Sequence, residues 1–370
     1  MNRIMNWVRP NIKELVAYSS ARSEFDKGQA QQELVYLDAN ESPMDMQREG
    51  NGYNRYPDPQ QTLLKRHLAS KLHLNPQNLF IGNGSDEAID LLYRIFCVPG
   101  KDKAMICSPT YGMYAVSAAI NDVELIDVPL KKYVALDIKA MKTAIKEHQP
   151  KLLWLCSPNN PTGNLVAHDK QAPVRGLHSL IKDFPGMVVI DEAYIQFADV
   201  PSASTWLKKY DNLVVLQTLS KAYGLAGARV GIAMARPYVI DLFNKVKPPY
   251  NVNTLSQYAA LEAVVSGFVG PHVERILEHR DMLTNALPQI QGIEKLYPTQ
   301  ANFILAQVQD ARELYQYLIE QGVVVRDRSS HVPDTLRFTV GTEEENLDLL
   351  DQIITFYKVE EPEEDEYEYA

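Results

Sequence analysis

The sequence predicts an α/β fold: a large domain with a mostly parallel sheet covered by helices on both faces, followed by a smaller α+β domain. Three features of the 370-residue chain support this. From about Leu79 to Val246, apolar β-branched runs alternate with amphipathic stretches, as in a parallel sheet wrapped by crossover helices. Several of these runs break abruptly into glycine, polar or charged residues, the pattern of a buried strand delivering side chains to the edge of a sheet. After Pro248 and Pro249 the alternation stops.

The elements follow in order. LFIGNG reads as a strand end, and SDEAIDLLYRIF as a helix with Ile89, Leu92 and Phe96 on one face. KAMICSP is a strand, followed by a short helix through Tyr114 and then by VELIDVPL. DIKAMKTAIKEH and VRGLHSLIKDF read as helices, while KLLWLCSP, MVVIDEA, LVVLQTLS and ARVGIAMA read as strands. Beyond the proline pair, TLSQYAALEAVVSGF and VERILEHRDMLTNAL form two helices. ANFILAQV (strand), ARELYQYLIEQG (helix), VVVRDR and LRFTVG (strands) and a last helix from about Glu343 complete the chain. Thr342 and Glu345 have the spacing of a capping box for that helix. The expected division is 1–38 as a segment packing on the small domain or on a second subunit, 39–250 as the large domain, 251–358 as the small one, and 359–370 as a disordered acidic tail.

Composition narrows the function. Net charge is −10, and seven acidic residues of the tail account for most of it, so nucleic acid is not expected as a partner. Cys97, Cys107 and Cys156 are odd in number, lack a C-x-x-C spacing and sit in or beside apolar runs, which suits reduced core thiols. No apolar stretch approaches 18 residues and the start has no signal-peptide core, so a cytoplasmic protein without a membrane span is expected.

The chemistry gathers at strand ends, where ligands of such sheets bind. Asp191 closes VVID, and Lys221 follows 30 residues later in TLSKAYGLAGARVG. A strand-end carboxylate can simply cap a helix, and a lone lysine is usually a solvated one. Beside a pyridine nitrogen, however, a carboxylate keeps that nitrogen protonated and the ring a strong electron sink. A lysine with a depressed pKa can form a Schiff base with an aldehyde. Arg229, eight residues on, offers the nearby positive charge and a phosphate ligand. GNGSDEAID fails as a dinucleotide fingerprint because Glu87 stands at the third glycine position, but the amides of Ser85 and Asp86 at a helix start suit an anion. Asn160 precedes Pro161 in the turn SPNNPTG, a restricted position compatible with a cis peptide. Tyr111 can stack on a flat ring or fill the core. Together these residues are what a pyridoxal phosphate site needs.

The runs RYPDP, GNGSDEAIDLL, SPTYGMY, CSPNNPTG, VVIDEAY, TLSKAYGLAGARVG and LRFTVGT resemble the histidinol-phosphate aminotransferases, from about Tyr18 to Thr342. The resemblance implies the type I fold of pyridoxal 5'-phosphate enzymes. It also implies Lys221 as the Schiff-base lysine, Asp191 as partner of the ring nitrogen, Asn160 and Tyr194 as partners of the ring oxygen, and Tyr111 stacked on the ring. Ser220, Arg229 and the amides of Gly84, Ser85 and Asp86 would hold the cofactor phosphate, joined by Tyr56 from the other subunit of a homodimer with shared sites. Arg337 would clamp the substrate's anionic end, with Arg326 and Tyr18 helping to bind the phosphate of histidinol phosphate. Two departures are the acidic tail and Ser42, which stands where an Asn is usual in NESP. The implied reaction is transamination of L-histidinol phosphate with 2-oxoglutarate. The alternatives are an aromatic-amino-acid aminotransferase, a threonine-phosphate decarboxylase-like enzyme, and a cofactor-binding regulator built on an inactive aminotransferase.

Overall fold

The computed structural model describes residues 3–18, 35–46, 52–169 and 172–358. The acidic tail and much of the N-terminal segment, on which two of the expectations above fall, lie outside them. In chain order the large domain holds α1 (Pro10–Glu14), α2 (Thr62–Lys71), β1 (Leu79–Asn83), α3 (Gly84–Phe96), β2 (Lys103–Ile106), α4 (Met113–Ile120) and β3 (Glu124–Asp127). There follow α5 (Ile138–His148), β4 (Leu152–Cys156), the short pair β5 (His168–Asp169) and β6 (Ala172–Pro173), α6 (Leu177–Asp183), β7 (Met187–Asp191), β8 (Leu213–Thr218), β9 (Val230–Met234), α7 (Pro237–Val246) and α8 (Thr254–Val265). The rest comprises α9 (Val269–Ala286), β10 (Ile293–Leu296), β11 (Phe303–Val308), α10 (Ala311–Glu320), β12 (Arg326–Asp327), β13 (Thr335–Thr339) and α11 (Glu343–Lys358).

A seven-stranded sheet in the order β1-β9-β8-β7-β4-β2-β3 forms the large domain. Only β9 runs antiparallel to its neighbours, so the expected mostly parallel sheet is found. The strands β4, β7, β8 and β9 are buried along their whole length, as continuous apolar runs require when both faces are covered. Successive side chains enter opposite cores: Leu153, Val188 and Val215 join one cluster, and Trp154, Val189 and Val214 the other. The pairing of Cys156 with Asp191 brings the carboxyl ends of β4 and β7 level, and β8, paired at Leu216, runs two residues further along the same edge. That common edge carries the polar residues singled out above.

The second core is built on a four-stranded antiparallel sheet, β10-β11-β13-β12, with Ile304, Leu314, Phe338 and Ile353 inside it. The capping box forms as expected: the Thr342 N–H donates to Glu345 Oε2 at 2.7 Å and the Glu345 N–H to Thr342 Oγ1 at 3.3 Å.

Three expectations shift. The start of the N-terminal segment packs on the large domain, with Ile4, Val8 and Ile12 buried among α3 and α7 residues, because it carries an apolar residue about every fourth position. Val252, Ala260 and Val264 belong to the large-domain core, so the cores part after α8 rather than at 250. The proline pair marks the end of the strand–helix alternation, not the end of that core. Only Arg326–Asp327 of VVVRDR is strand. Gly322, at φ 84°, and Val323 close α10, their N–H groups returning to the carbonyls of Ile319 and Leu318.

Candidate active site

A cavity of about 400 Å³ opens at the common edge of β4, β7 and β8. It is lined by Ser85, Asp86, Tyr111, Asn160, Asp191, Tyr194, Ser220, Lys221, Arg229, Arg326 and Arg337, and by Cys156, Ala193, Thr218 and Arg328. Residues spread from 85 to 337 thus meet in one place. The lining set includes 11 of the residues proposed from sequence.

Asp191 ends β7 and is 2% exposed. Burial raises its carboxyl from 3.8 to about 6, opposed by two hydrogen bonds. Tyr114 Oη donates to Oδ2 at 2.7 Å, and the Ala193 N–H donates to Oδ1 at 3.1 Å. Tyr114 is itself fully buried on α4 and stacks on Trp154 with ring centroids 4.9 Å apart. Its phenol is therefore held in place by packing. Burial and the neighbouring Asp191 raise its pKa further.

Lys221 follows β8 in a loop whose first turn is tied by Thr218. Its hydroxyl donates to Ser220 Oγ at 3.0 Å and accepts the Ser220 N–H at 3.1 Å. The ammonium lies 5.7 Å from the centre of the Tyr194 ring. Partial burial, then the fields of Arg337 and Arg229, lower its pKa below the usual lysine value. The lysine is accessible because the cleft is open, while its low-dielectric walls and cationic neighbours still disfavour the charged form.

The start of α3 forms a cup. Gly84 has φ 71° and its N–H donates to the Arg229 carbonyl at 2.8 Å, locking α3 to the start of β9. A Cβ on Gly231 would lie 2.1 Å from the Gly84 carbonyl carbon and 2.2 Å from the Ser85 nitrogen, so only glycine lets β9 pass beneath the helix start. Arg229 has φ 53°, a conformation costing a side-chain-bearing residue on the order of 1 kcal/mol. Its guanidinium sits at the cup, 3.2 Å from Asp86 Oδ2, and Tyr111 Oη donates to Asp86 Oδ1 at 3.1 Å.

Across the cavity, the peptide before Pro161 is cis. Asn160 Oδ1 accepts from Arg337 Nη1 at 2.6 Å, and Nδ2 faces the Tyr194 hydroxyl at 3.4 Å. The amide thus joins a residue of the large domain to a strand of the small one. Tyr56 and Tyr18 are not brought here. Both line a separate depression of about 990 Å³, where Tyr56 stacks on Tyr250 at 4.5 Å.

Sequence reading missed Tyr114, Thr218 and Arg328. Tyr114 looked like a helix core residue, and no spacing signals that a helix will pack its phenol against a distant strand end. Also unanticipated was a buried network behind the site. Ser157 Oγ accepts the N–H groups of Val166 and Ala167, both at 3.1 Å, leaving its proton for His168 Nδ1 at 3.0 Å. His168 Nε2 then donates to Glu192 Oε1 at 3.1 Å. That carboxylate also receives the Ala203 N–H, the Gln217 amide and the Ser202 hydroxyl. The network bolts together the ends of β4, β7 and β8.

Comparison with known proteins agrees with this architecture. Residues 21–353 match the model of the family described as aminotransferase class I and II. The histidinol-phosphate aminotransferase of Cytophaga hutchinsonii is 47% identical over 352 residues, covering 94% of this chain and 98% of that protein. Its counterpart from Flavobacterium psychrophilum is 46% identical over 349 residues, 94% and 97% of the two chains. A solved histidinol-phosphate aminotransferase from Sinorhizobium meliloti, in complex with pyridoxal-5'-phosphate, superposes with TM-score 0.75 at 22% identity, over 84% of this chain and 85% of that one. The chain therefore belongs to the class I and II aminotransferases and, among them, to the family of the histidinol-phosphate aminotransferases.

Proposed function

We propose that this aminotransferase moves the amino group of L-histidinol phosphate to 2-oxoglutarate, giving imidazole acetol phosphate and L-glutamate, with pyridoxal 5'-phosphate as cofactor. The carrying observation is the meeting of Lys221, Asp191, Asn160 and Tyr194 with a set of arginines around one cavity. The curated relatives' names supply the substrate.

The residues present fit the cofactor. The glycine-made cup offers the Ser85 and Asp86 amides, the Ser220 hydroxyl and Arg229 to a phosphate. Asp191 would hold the ring N–H, Asn160 and Tyr194 the ring oxygen, and Tyr111 the ring face. When bound, the cofactor supplies a carbonyl for the amine and a cationic ring that takes up electron density.

The chain's own groups do the rest. Lys221 Nζ, with its lowered proton affinity, would act as general base at the substrate α-carbon and give that proton back at the carbon on the far side of the amine nitrogen. Asp191 would offer its negative charge to the ring nitrogen from a buried setting, where that charge is little screened. Arg337 binds the anionic end of each substrate, helped by Arg326, and its bond to Asn160 ties substrate position to cofactor position.

A second copy of the chain completes the site in this reading. Tyr56 and Tyr18 lie in a depression beside the exposed Leu255, and Leu37 (89% exposed), Tyr258 and Val16 are also uncovered. Exposed apolar side chains on this scale favour burial against a partner. Cytoplasm is the assigned compartment, supported by three free buried cysteines; among the described residues no helix is long and apolar enough to cross a membrane.

The half-reaction with histidinol phosphate, phenylalanine and tyrosine, followed by the change in cofactor absorbance, tests the proposal. Histidinol phosphate should give the highest kcat/KM. Preference for phenylalanine or tyrosine would replace this substrate assignment with an aromatic one.

A further inference from the structure

The small-domain sheet presents a third guanidinium to the cavity. The β12–β13 register pairs Arg326 directly with Arg337. The Arg328 N–H donates to the Thr335 carbonyl at 2.9 Å, so the ladder continues one residue past the assigned strand. Residues opposite one another, and residues two apart on a strand, share a face. Arg326, Arg328 and Arg337 therefore point to one side, and all three line the cavity.

Like charges opposite one another on a sheet repel, so this face is not explained by fold stability. Among the described residues none of the three has an ion-pair partner. Asp327 accepts the Ser329 N–H at 2.8 Å and belongs to the other face. The Nε atoms of Arg328 and Arg337 are buried with no hydrogen-bond partner. Burial and mutual repulsion lower the proton affinity of both guanidinium groups, a cost that a bound anion relieves. Nor is Arg328 on a loose loop, since its carbonyl accepts the N–H groups of His331 and Val332 at 2.8 and 3.0 Å.

We propose that Arg328 is a specificity-determining residue that, with Arg326 and Arg337, selects amine substrates ending in a phosphate monoester. This rests on the transaminase reading above and deepens it. A phosphate monoester carries about 1.5 to 2 negative charges and three acceptor oxygens near pH 7. Three planar forks match that demand, whereas one carboxylate is satisfied by Arg337 alone.

The test uses the cofactor-loaded enzyme with histidinol phosphate and its unphosphorylated counterpart, histidinol, plus inorganic phosphate binding by calorimetry. Arg328→Gln should raise KM for histidinol phosphate about tenfold or more, the loss expected for one charge-assisted contact. It should lower the preference for histidinol phosphate over histidinol by the same factor and weaken inorganic phosphate binding. Arg328→Lys, which keeps the charge but not the fork, should recover part of each loss. A preference within twofold of wild type in Arg328→Gln would overturn the inference. So would an equal fall in kcat with both amines, the mark of a merely structural role. Failure of the wild type to use histidinol phosphate would sink the substrate reading instead. In that case the calorimetric difference between wild type and Arg328→Gln still decides whether Arg328 belongs to a phosphate site.

Discussion

Tyr114→Phe isolates one oxygen atom that sits 2.7 Å from the buried Asp191 carboxylate. The ring, its stack on Trp154 and the volume of the core are retained, so the variant subtracts only the hydroxyl's polar contacts, the bond to Asp191 and the interaction with the Cys156 thiol. Burial raises the Asp191 carboxyl from 3.8 to about 6. Because the folded value is the higher one, its contribution to stability is full below about pH 4 and is lost as pH rises through about 6. Tyr114 limits that loss by donating to the charged form. Removing a neutral hydrogen bond costs about 1 kcal/mol, and removing one to a charged group about 1.5–3 kcal/mol. The variant should therefore lose about 1 kcal/mol at pH 4 and about 0.5–2 kcal/mol more at pH 8, moving the Asp191 titration up by about one pH unit. Urea unfolding of the cofactor-free protein at both pH values measures this, with Asp191→Asn as the second corner of a double-mutant cycle. A stability loss equal at pH 4 and pH 8 would refute the reasoning. So would a pH dependence that survives in the Asp191→Asn background.

Lys221→Ala should abolish turnover with every amine while leaving the urea midpoint close to wild type, since the side chain opens onto the cavity; measurable transamination by this variant would remove Lys221 from the chemistry. Gly231→Ala should destabilise the fold by about 1–3 kcal/mol or more, because the new Cβ meets backbone rather than a flexible side chain. The same variant should weaken cofactor binding, read by fluorescence titration, as the cup is pushed open. Glu192→Gln turns one acceptor oxygen into a donor amid four inward-facing donors and should cost about 2 kcal/mol or more in urea unfolding. In the wild type, the imidazole nitrogen signals of His168 should show the proton on Nε2, as the Ser157 bonds dictate.

Local patterning alone determined the strand–helix alternation, the burial of β4, β7 and β8, the capping box at Thr342 and the placement of Asp191 at a strand end and of Lys221 just past one. Each of these is written in a few consecutive residues, through side-chain period, turn chemistry or an abrupt loss of hydrophobicity. The same reading did not reach Tyr114, Arg328 or the Ser157–His168–Glu192 network. Their partners lie 77 residues away for Tyr114 and Asp191, and 24 for His168 and Glu192. Arg328 faces the cavity only because β12 and β13 pair in the register they do. Nor did it show that α8 completes the large-domain core, since a helix carries no local mark of which domain it packs on. The types of chemical group available were legible in the chain. Which of them meet, and in what electrostatic surroundings, was decided by packing between distant segments.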